Sequence, residues 1–453
     1  MFNSTGSRQR FAARSSVVSR QFLRFGFLLH FFIFHFSFFI FHSATGQGLG
    51  NSPYSALGVG ETFGGGFAVN QMMGGAGVAA SNGIYINNLN PALLARNRNV
   101  VFEVGVLGQL KRLNDGRQQQ QTAGGNLNYL ALALPLNKRW TASIGLRPYS
   151  YVDYEIRETR AVPGSIYFAD YTYSGRGGLN QVALSNGFQV TKSLYAGVVA
   201  SYLFGGIDRD AVSRLRLFQD QDYSLTLRNR INYHDFQFKG GLAWRQKLKE
   251  KLFLTAAGTY DFGTNLRADQ LRSFQYLNTS GTTIPGTVAD TVNLNTGGNT
   301  RLAPAYRLGL ALENPYKLTL AADLSVQQWS KYRGFNNESN LNEKLADSYT
   351  ISVGAEYTPN ILAASGYWSR VPYRLGFSYG KTPFSVNGQQ PTEWSITTGA
   401  SLPISRGGLS DLNLGFSFGQ RGVAGNGLIR EQFGRVILGV TLNDRWFLRQ
   451  VID

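Results

Sequence analysis

From about residue 99 onward the chain is written in short segments in which every second residue is apolar. Leu318, Leu320, Ala322, Leu324 and Val326 alternate with Thr319, Ala321, Asp323 and Ser325; Tyr349, Ile351, Val353, Ala355 and Tyr357 alternate with Thr350, Ser352, Gly354 and Glu356. Leu412, Leu414, Phe416 and Phe418 repeat the pattern, as do Tyr306 to Leu312, Tyr373 to Tyr379 and Val436 to Leu442. A period of two puts one set of side chains on each face of an extended strand. Beyond residue 46 no stretch approaches the apolar length of a spanning helix. A soluble sandwich alternates too, but here the second face is rich in Gly, Ser and Thr with single charges such as Glu103, Arg245 and Arg374. That face suits a polar lumen, and the expected fold is an all-β transmembrane antiparallel β-barrel.

Strands are expected near 99–110, 126–135, 139–158, 179–190, 194–205, 225–247, 251–264, 304–313, 316–329, 348–358, 371–382, 392–403, 409–420 and 431–448, about fourteen, an even number. Connectors at Asn137-Lys138, Thr191-Lys192-Ser193, Lys249-Glu250 and Asn314-Pro315 are tight, whereas 111–125, 159–178, 206–224, 265–303 and 330–347 read as long loops. Short periplasmic turns and long external loops give that rhythm, which slips only at 359–370 and 383–391. Trp140, Trp244 and Trp446 fall near periplasmic ends and Trp394 near an outer end, as aromatic girdles require.

Residues 1–46 read as a secretory signal: five Arg without an acid, the apolar block FGFLLHFFIFHFSFFIFH at 25–42, then Ala44-Thr45-Gly46 and a mature start at Gln47. The alternative is one retained transmembrane helix, weakened by three His and a Ser. Residues 47–98, Gly- and Asn-rich and weakly alternating, are either a plug folded into the lumen or a disordered tail, and 99–453 is the barrel.

The net charge is +17, of which +12 remains once the five Arg of the leader are set aside. No dense basic run occurs, so nucleic acid is not an expected partner; outer-membrane lipid and lipopolysaccharide are. With no Cys and only His234 outside the leader, neither a metal centre nor a nucleophile–histidine pair is built, and no cofactor or enzymatic activity is expected. Gly64-Gly65-Gly66 and Gly74-Gly75 lack the strand–helix setting of a phosphate loop. Charges on the inward face (among them Glu103, Arg147, Asp153, Lys239, Arg245, Asp323, Glu356, Arg374 and Arg435) either pair with each other or offer an Arg, with Arg147, Arg245 and Arg374 as candidates, to a ligand carboxylate.

NSPYSALGVG at 51–60, QMMGGAGVAASNGIYINNLNPALLA at 71–95 and VILGVTLNDRWFLRQ at 436–450 resemble FadL-type outer-membrane transporters of long-chain fatty acids and aromatic hydrocarbons, in their divergent branch. Gly74, Gly75 and Gly77 followed by Asn90, Pro91 and Ala92 carry most of that likeness. The resemblance implies an N-terminal hatch, an apolar site above it and lateral exit of a hydrophobic small molecule through a kink in the third strand. Here that strand carries Pro148, which either breaks it as a gate or ends one strand and begins another. The chain ends in Asp453 rather than an aromatic residue, which departs from the barrel-insertion pattern. Three functions compete: uptake of a hydrophobic molecule by a monomeric channel, a protein-handling barrel similar to the type IX secretion shuttle, and a polar-solute porin. Mass spectrometry of protein from the producing cell is expected to find Gln47 at the N-terminus, in the outer-membrane fraction; an intact leader in the inner membrane overturns the signal assignment.

Overall fold

The computed structural model describes residues 48–216, 224–277, 290–337, 345–363, 366–385, 388–404, 410–425 and 427–444. The leader, Gln47, Trp446 and the C-terminal residue therefore lie outside the described residues. The chain is almost all β. A two-residue strand β1 (Glu61–Thr62) and one helical turn α1 (Ala68–Met72) precede the long strands β2 (Val100–Asn114), β3 (Gln119–Asn137), β4 (Trp140–Ala161), β5 (Phe168–Gln189), β6 (Leu194–Arg216), β7 (Ser224–Lys249) and β8 (Leu252–Asp261). A hairpin, β9 (Asn265–Leu277) and β10 (Asp290–Arg301), intervenes before β11 (Ala305–Asn314), β12 (Leu318–Gln327), β13 (Ser348–Tyr357), β14 (Tyr373–Lys381), β15 (Thr392–Pro403), β16 (Asp411–Arg421) and β17 (Arg430–Asp444).

Strands β2 to β8 and β11 to β17 pair antiparallel in order, and β17 closes on β2 from Asp444↔Val100 to Arg430↔Asn114. The result is a closed fourteen-stranded barrel, as the alternation predicts; β9 and β10 stand outside the ring, β9 continuing the sheet from β7 where β8 ends.

The apolar set is the outward one. In β12, Leu318, Leu320, Ala322 and Leu324 are exposed while Thr319, Ala321 and Asp323 are buried. Leu308, Leu310, Ile351, Val353, Leu375, Phe377, Phe416 and Phe418 are exposed in the same phase. A soluble sandwich buries its apolar face, so the polarity of these strands is reversed relative to one.

Three loops are shorter than the sequence reading gives. Strands β2 to β6 run on past their expected ends, leaving 115–118 between β2 and β3 and 162–167 between β4 and β5, with β6 reaching Arg216. These extensions lack apolar alternation and are stitched by charge instead: Arg230 donates to Asp208 at 2.6 Å and Arg228 to Asp210 at 3.0 Å across the β6–β7 pair. Cross-strand ion pairs of this kind support a ladder that a hydropathy pattern does not reveal.

Glycines on the inward face are sites of close approach. A Cβ at Gly376 would overlap the backbone of Met73 and Gly74, and one at Gly197 the backbone of Pro91 and Ala92. Replacing Gly376 with Val is expected to cost about 1–3 kcal/mol by overpacking. It should expose amides of residues 70–80 to hydrogen exchange while leaving the far-ultraviolet β-signal intact; unchanged protection of 70–80 would contradict this placement.

Candidate functional site: an interrupted wall and a polar cavity

Residues 48–99 are held by the inward faces of strands from all around the ring. The turn at 74–77 is built from glycines with positive φ: Gly74 at 71°, Gly75 at 82° and Gly77 at 140°, values that L side chains rarely adopt. Its amides are received by the wall, Gly74 N–H donating to Thr397 Oγ1 at 2.8 Å and Gly77 and Val78 N–H to Asp323 Oδ2 at 2.6 and 2.8 Å. Asn87 ties the turn to the following segment, its Nδ2 donating to Gly77 O at 2.8 Å while its Oδ1 accepts from Asn90 N–H at 3.0 Å. Asn90 then caps the short helix Pro91–Arg96 through Ala92 N–H at 3.0 Å, with Pro91 at a position that needs no donor. Asn90 Nδ2 also reaches Leu242 O on β7 at 3.2 Å. The six motif residues, Gly74, Gly75, Gly77, Asn90, Pro91 and Ala92, thus fall within one hydrogen-bonded unit. On the opposite side Glu103 accepts from Ile86 N–H at 2.8 Å and Phe67 stacks on Tyr129 at 4.0 Å. Asp323 and Glu103 thus serve backbone amides of this segment, whereas Glu313, Glu356 and Asp261 pair with cations.

The wall is not continuous. Pairing of β3 with β4 runs from Asn137↔Trp140 to Leu130↔Leu146 and ends there. On the other edge β4 stays paired with β5 from Trp140↔Phe188 to Ala161↔Phe168, with a bulge at Tyr149, between Pro148↔Asn180 and Ser150↔Leu179. Pro148 therefore sits inside one strand, at its bulge, two residues past the point where β3 and β4 part. A residue without an N–H is tolerated where a ladder is already broken.

The N-terminal segment fills the gap. Strand β1 pairs with β4 through Glu61↔Tyr151 and Thr62↔Ser150, and Phe63 N–H donates to Tyr149 O at 3.0 Å. Ser52 N–H donates to Asp153 O at 2.8 Å, while on the other side Asn51 N–H reaches Thr122 Oγ1 at 3.2 Å and Leu49 O accepts from Gln109 at 2.8 Å.

A buried charge cluster fastens this filler to the far side of the gap. Arg421 on β16 contacts Glu61 and is paired with Glu393 at 2.7 Å and Glu431 at 3.4 Å. Ser52 Oγ donates to Glu431 at 2.6 Å, and Tyr151 OH to Glu61 at 2.5 Å. Glu61 is buried, and the Arg421 guanidinium and the Lys111 ammonium are the cations nearest to it. None of these residues was singled out from sequence. They come from 52, 61, 111, 393, 421 and 431, and no spacing connects them.

Beneath the filler lies a cavity of about 370 Å³. Arg147, Lys239, Asp261 and Arg307 line one side and Ser325, Ser352, Ser378 and Ser395 the other. Phe63, Tyr149, Trp329, Phe384 and Ile437 also line it, so its character is mixed. Lys239 pairs with Asp261 at 3.0 Å, and the buried Nε of Arg147 has no hydrogen-bond partner. Of the three arginines considered as ligand contacts, Arg147 alone faces this space. Arg245 is paired with Glu313 at 2.9 Å, a carboxylate shared with Arg96, and Arg374 is held by Glu356 at 2.8 Å and Ser401 at 2.6 Å beside the Tyr85 ring. The alternation gave the face of each arginine correctly but not its partner. The larger apolar cluster, including Val59, Leu179, Leu203, Ile207, Ile231 and Trp329, packs between the strand extensions and the segments that cover them.

Among solved structures, the Pseudomonas putida toluene transporter TodX is 16% identical over 86% of this chain and 100% of that one, with a TM-score of 0.56. The CymD monoaromatic hydrocarbon channel is 13% identical over 84% and 98%, with a TM-score of 0.53. A Pseudomonas aeruginosa FadL homologue is 15% identical over 84% and 97%, with a TM-score of 0.51. At these identities the likeness is one of fold. A search of the curated proteins finds no match. The model of the family described as BamG matches residues 28–453, nearly the whole sequence, and the chain belongs to that family.

Proposed function

We propose that this protein is an outer-membrane channel through which a small hydrophobic molecule enters and leaves sideways, between β3 and β4. The observation that carries the reading is the interrupted wall: ladder pairing stops at Leu146, and residues 49–63 stand where a strand edge would otherwise meet lipid. In hydrocarbon an unpaired backbone group costs several kcal/mol, so a gap persists only where something else satisfies it. Here the N-terminal segment does so with few ladder bonds, which makes it displaceable. The outward apolar face supports insertion in a membrane, with the short turns on the periplasmic side and residues 48–99 acting as the hatch.

The solved neighbours named for toluene and monoaromatic hydrocarbons support a hydrophobic cargo. The mixed cavity narrows it: Arg147 and the serine wall favour an amphiphile with an anionic or hydroxylated end, such as a fatty acid, over a pure hydrocarbon. The dense packing of 48–99 weighs against an open polar-solute porin. A protein-handling role draws support from the β9–β10 hairpin and the extended β4–β7 sheet, which offer a broad outer platform.

Three outcomes are expected. Deleting residues 48–85 should raise single-channel conductance in planar bilayers; unchanged conductance removes the hatch. Replacing Pro148 with Val should slow uptake of a long-chain fatty acid in a host lacking its own transporter, without changing leakage of small sugars. Equal uptake by mutant and parent counts against exit at this position, and no uptake by the parent moves weight to the protein-handling reading. In a chain with no native cysteine, Thr62→Cys with Ser150→Cys places a thiol pair across register partners, within disulfide reach. Oxidation should abolish uptake and reduction restore it; uptake indifferent to the disulfide rules out displacement of β1.

A further inference from the structure

The positive charge of the chain is unevenly spent. At the loop end, several basic side chains of the strand extensions are ion-paired, Arg157 with Glu155 at 2.6 Å, Arg160 with Glu158 at 2.7 Å and Arg230 with Asp208 at 2.6 Å, although among the described residues Arg112, Arg117, Lys331 and Lys381 are not. The turn end differs. Lys138 and Arg139 between β3 and β4, Lys192 between β5 and β6, Lys249 and Lys251 at the β7–β8 turn, and Lys317 between β11 and β12 are all exposed. Among the described residues none of the six is ion-paired, and Glu250 is the only carboxylate in these four turns.

Their placement follows the perimeter. Strands β3 to β8, β11 and β12 are successive neighbours in the ring, so the four turns form one arc. Next to each basic residue the outward side chains are exposed and apolar: Leu136 and Trp140 by Lys138 and Arg139, Val190 and Leu194 by Lys192, Trp244 and Leu248 by Lys249, Tyr316 and Leu318 by Lys317. Cations that close off an aromatic and aliphatic belt stand at the depth of lipid phosphates, with their stems along the apolar surface.

We propose that this arc is a binding surface for the phosphate headgroups of anionic phospholipids in the leaflet at the turn end. The inference rests on the membrane-barrel reading above. An acidic protein would be met better by charges spread over the end face than by charges strung beneath an apolar belt. Each Lys or Arg near an anionic surface favours association by about fivefold, so four acting together are ample for selection among lipids.

The test uses the full-length protein in vesicles of phosphatidylcholine mixed with phosphatidylglycerol, with the lipids that remain bound after gentle extraction counted by mass spectrometry. The parent is expected to retain phosphatidylglycerol at least about tenfold above its share of the mixture. A variant with Lys138, Arg139, Lys192 and Lys317 each replaced by Gln should lose that enrichment. A control with Arg112, Arg117, Lys331 and Lys381 replaced by Gln, all exposed at the loop end, should keep it. Replacing Lys138, Lys192 and Lys317 with Arg should also keep it, which separates loss of charge from damage to the turns. Absence of enrichment in the parent, as an acidic protein partner would give, overturns the proposal, and so does equal loss in the loop-end control. Failure of the parent to float with vesicles at all would instead overturn the membrane reading itself.

Discussion

Every backbone N–H and C=O in the wall needs a partner, and the architecture follows from how that demand is met. Along thirteen of the fourteen seams the neighbouring strand meets it over nearly the full shared length, and the β17–β2 seam shows that even the first and last strands comply. At the β3–β4 seam it is met for a few residues only. The remainder is supplied by residues 49–63, partly by two residues of true ladder and partly by single hydrogen bonds from Ser52, Asn51 and Phe63. The seam is therefore closed by a different kind of bonding, one that can be undone without unzipping a strand.

That substitute would be weak by itself, and a buried ionic cluster reinforces it. Arg421 is surrounded by three carboxylates, one from the N-terminal segment and two from the barrel. Buried ion pairs contribute little net stability compared with well-packed apolar groups, because desolvation offsets the attraction, yet removing one member is costly. Such a cluster makes a two-state fastening: intact when Glu61 is in place and unfavourable halfway. An apolar patch would have allowed gradual slippage.

Much of the fold was legible because a strand with an apolar outward face and a polar inward face must alternate, and the alternation survives in a single sequence. β12, β13, β14 and β16 are clear for that reason. The outer parts of β5 and β6 were read as loops because Asp208 and Asp210 break the pattern, and their pairing with the neighbouring strands, as of Asp208 with Arg230, depends on a register that no local window contains. The site was legible in part. Pro148 stands out by its conformational demand, and the Gly74 and Asn90 motifs by the family resemblance they carry. Glu61, Glu393, Arg421 and Glu431 do not, since an isolated charge on an inward face looks the same whether it lines water or forms a latch. For the same reason Arg245 and Arg374 resembled ligand contacts until Glu313 and Glu356 were seen beside them.

The bonds that seat residues 48–99 also set an order of assembly. Ser52 is joined to Glu431, 379 positions later, and Gly74 to Thr397, 323 positions later. Cap and floor come from opposite ends of the chain, so the part synthesised first has nowhere to settle until the part synthesised last has closed the ring. Such distant pairings carry the full entropic cost of loop closure and form late. Before closure the N-terminal segment is a tether on an open sheet; after closure it becomes the last piece to dock, and its docking reports that the cylinder behind it is complete.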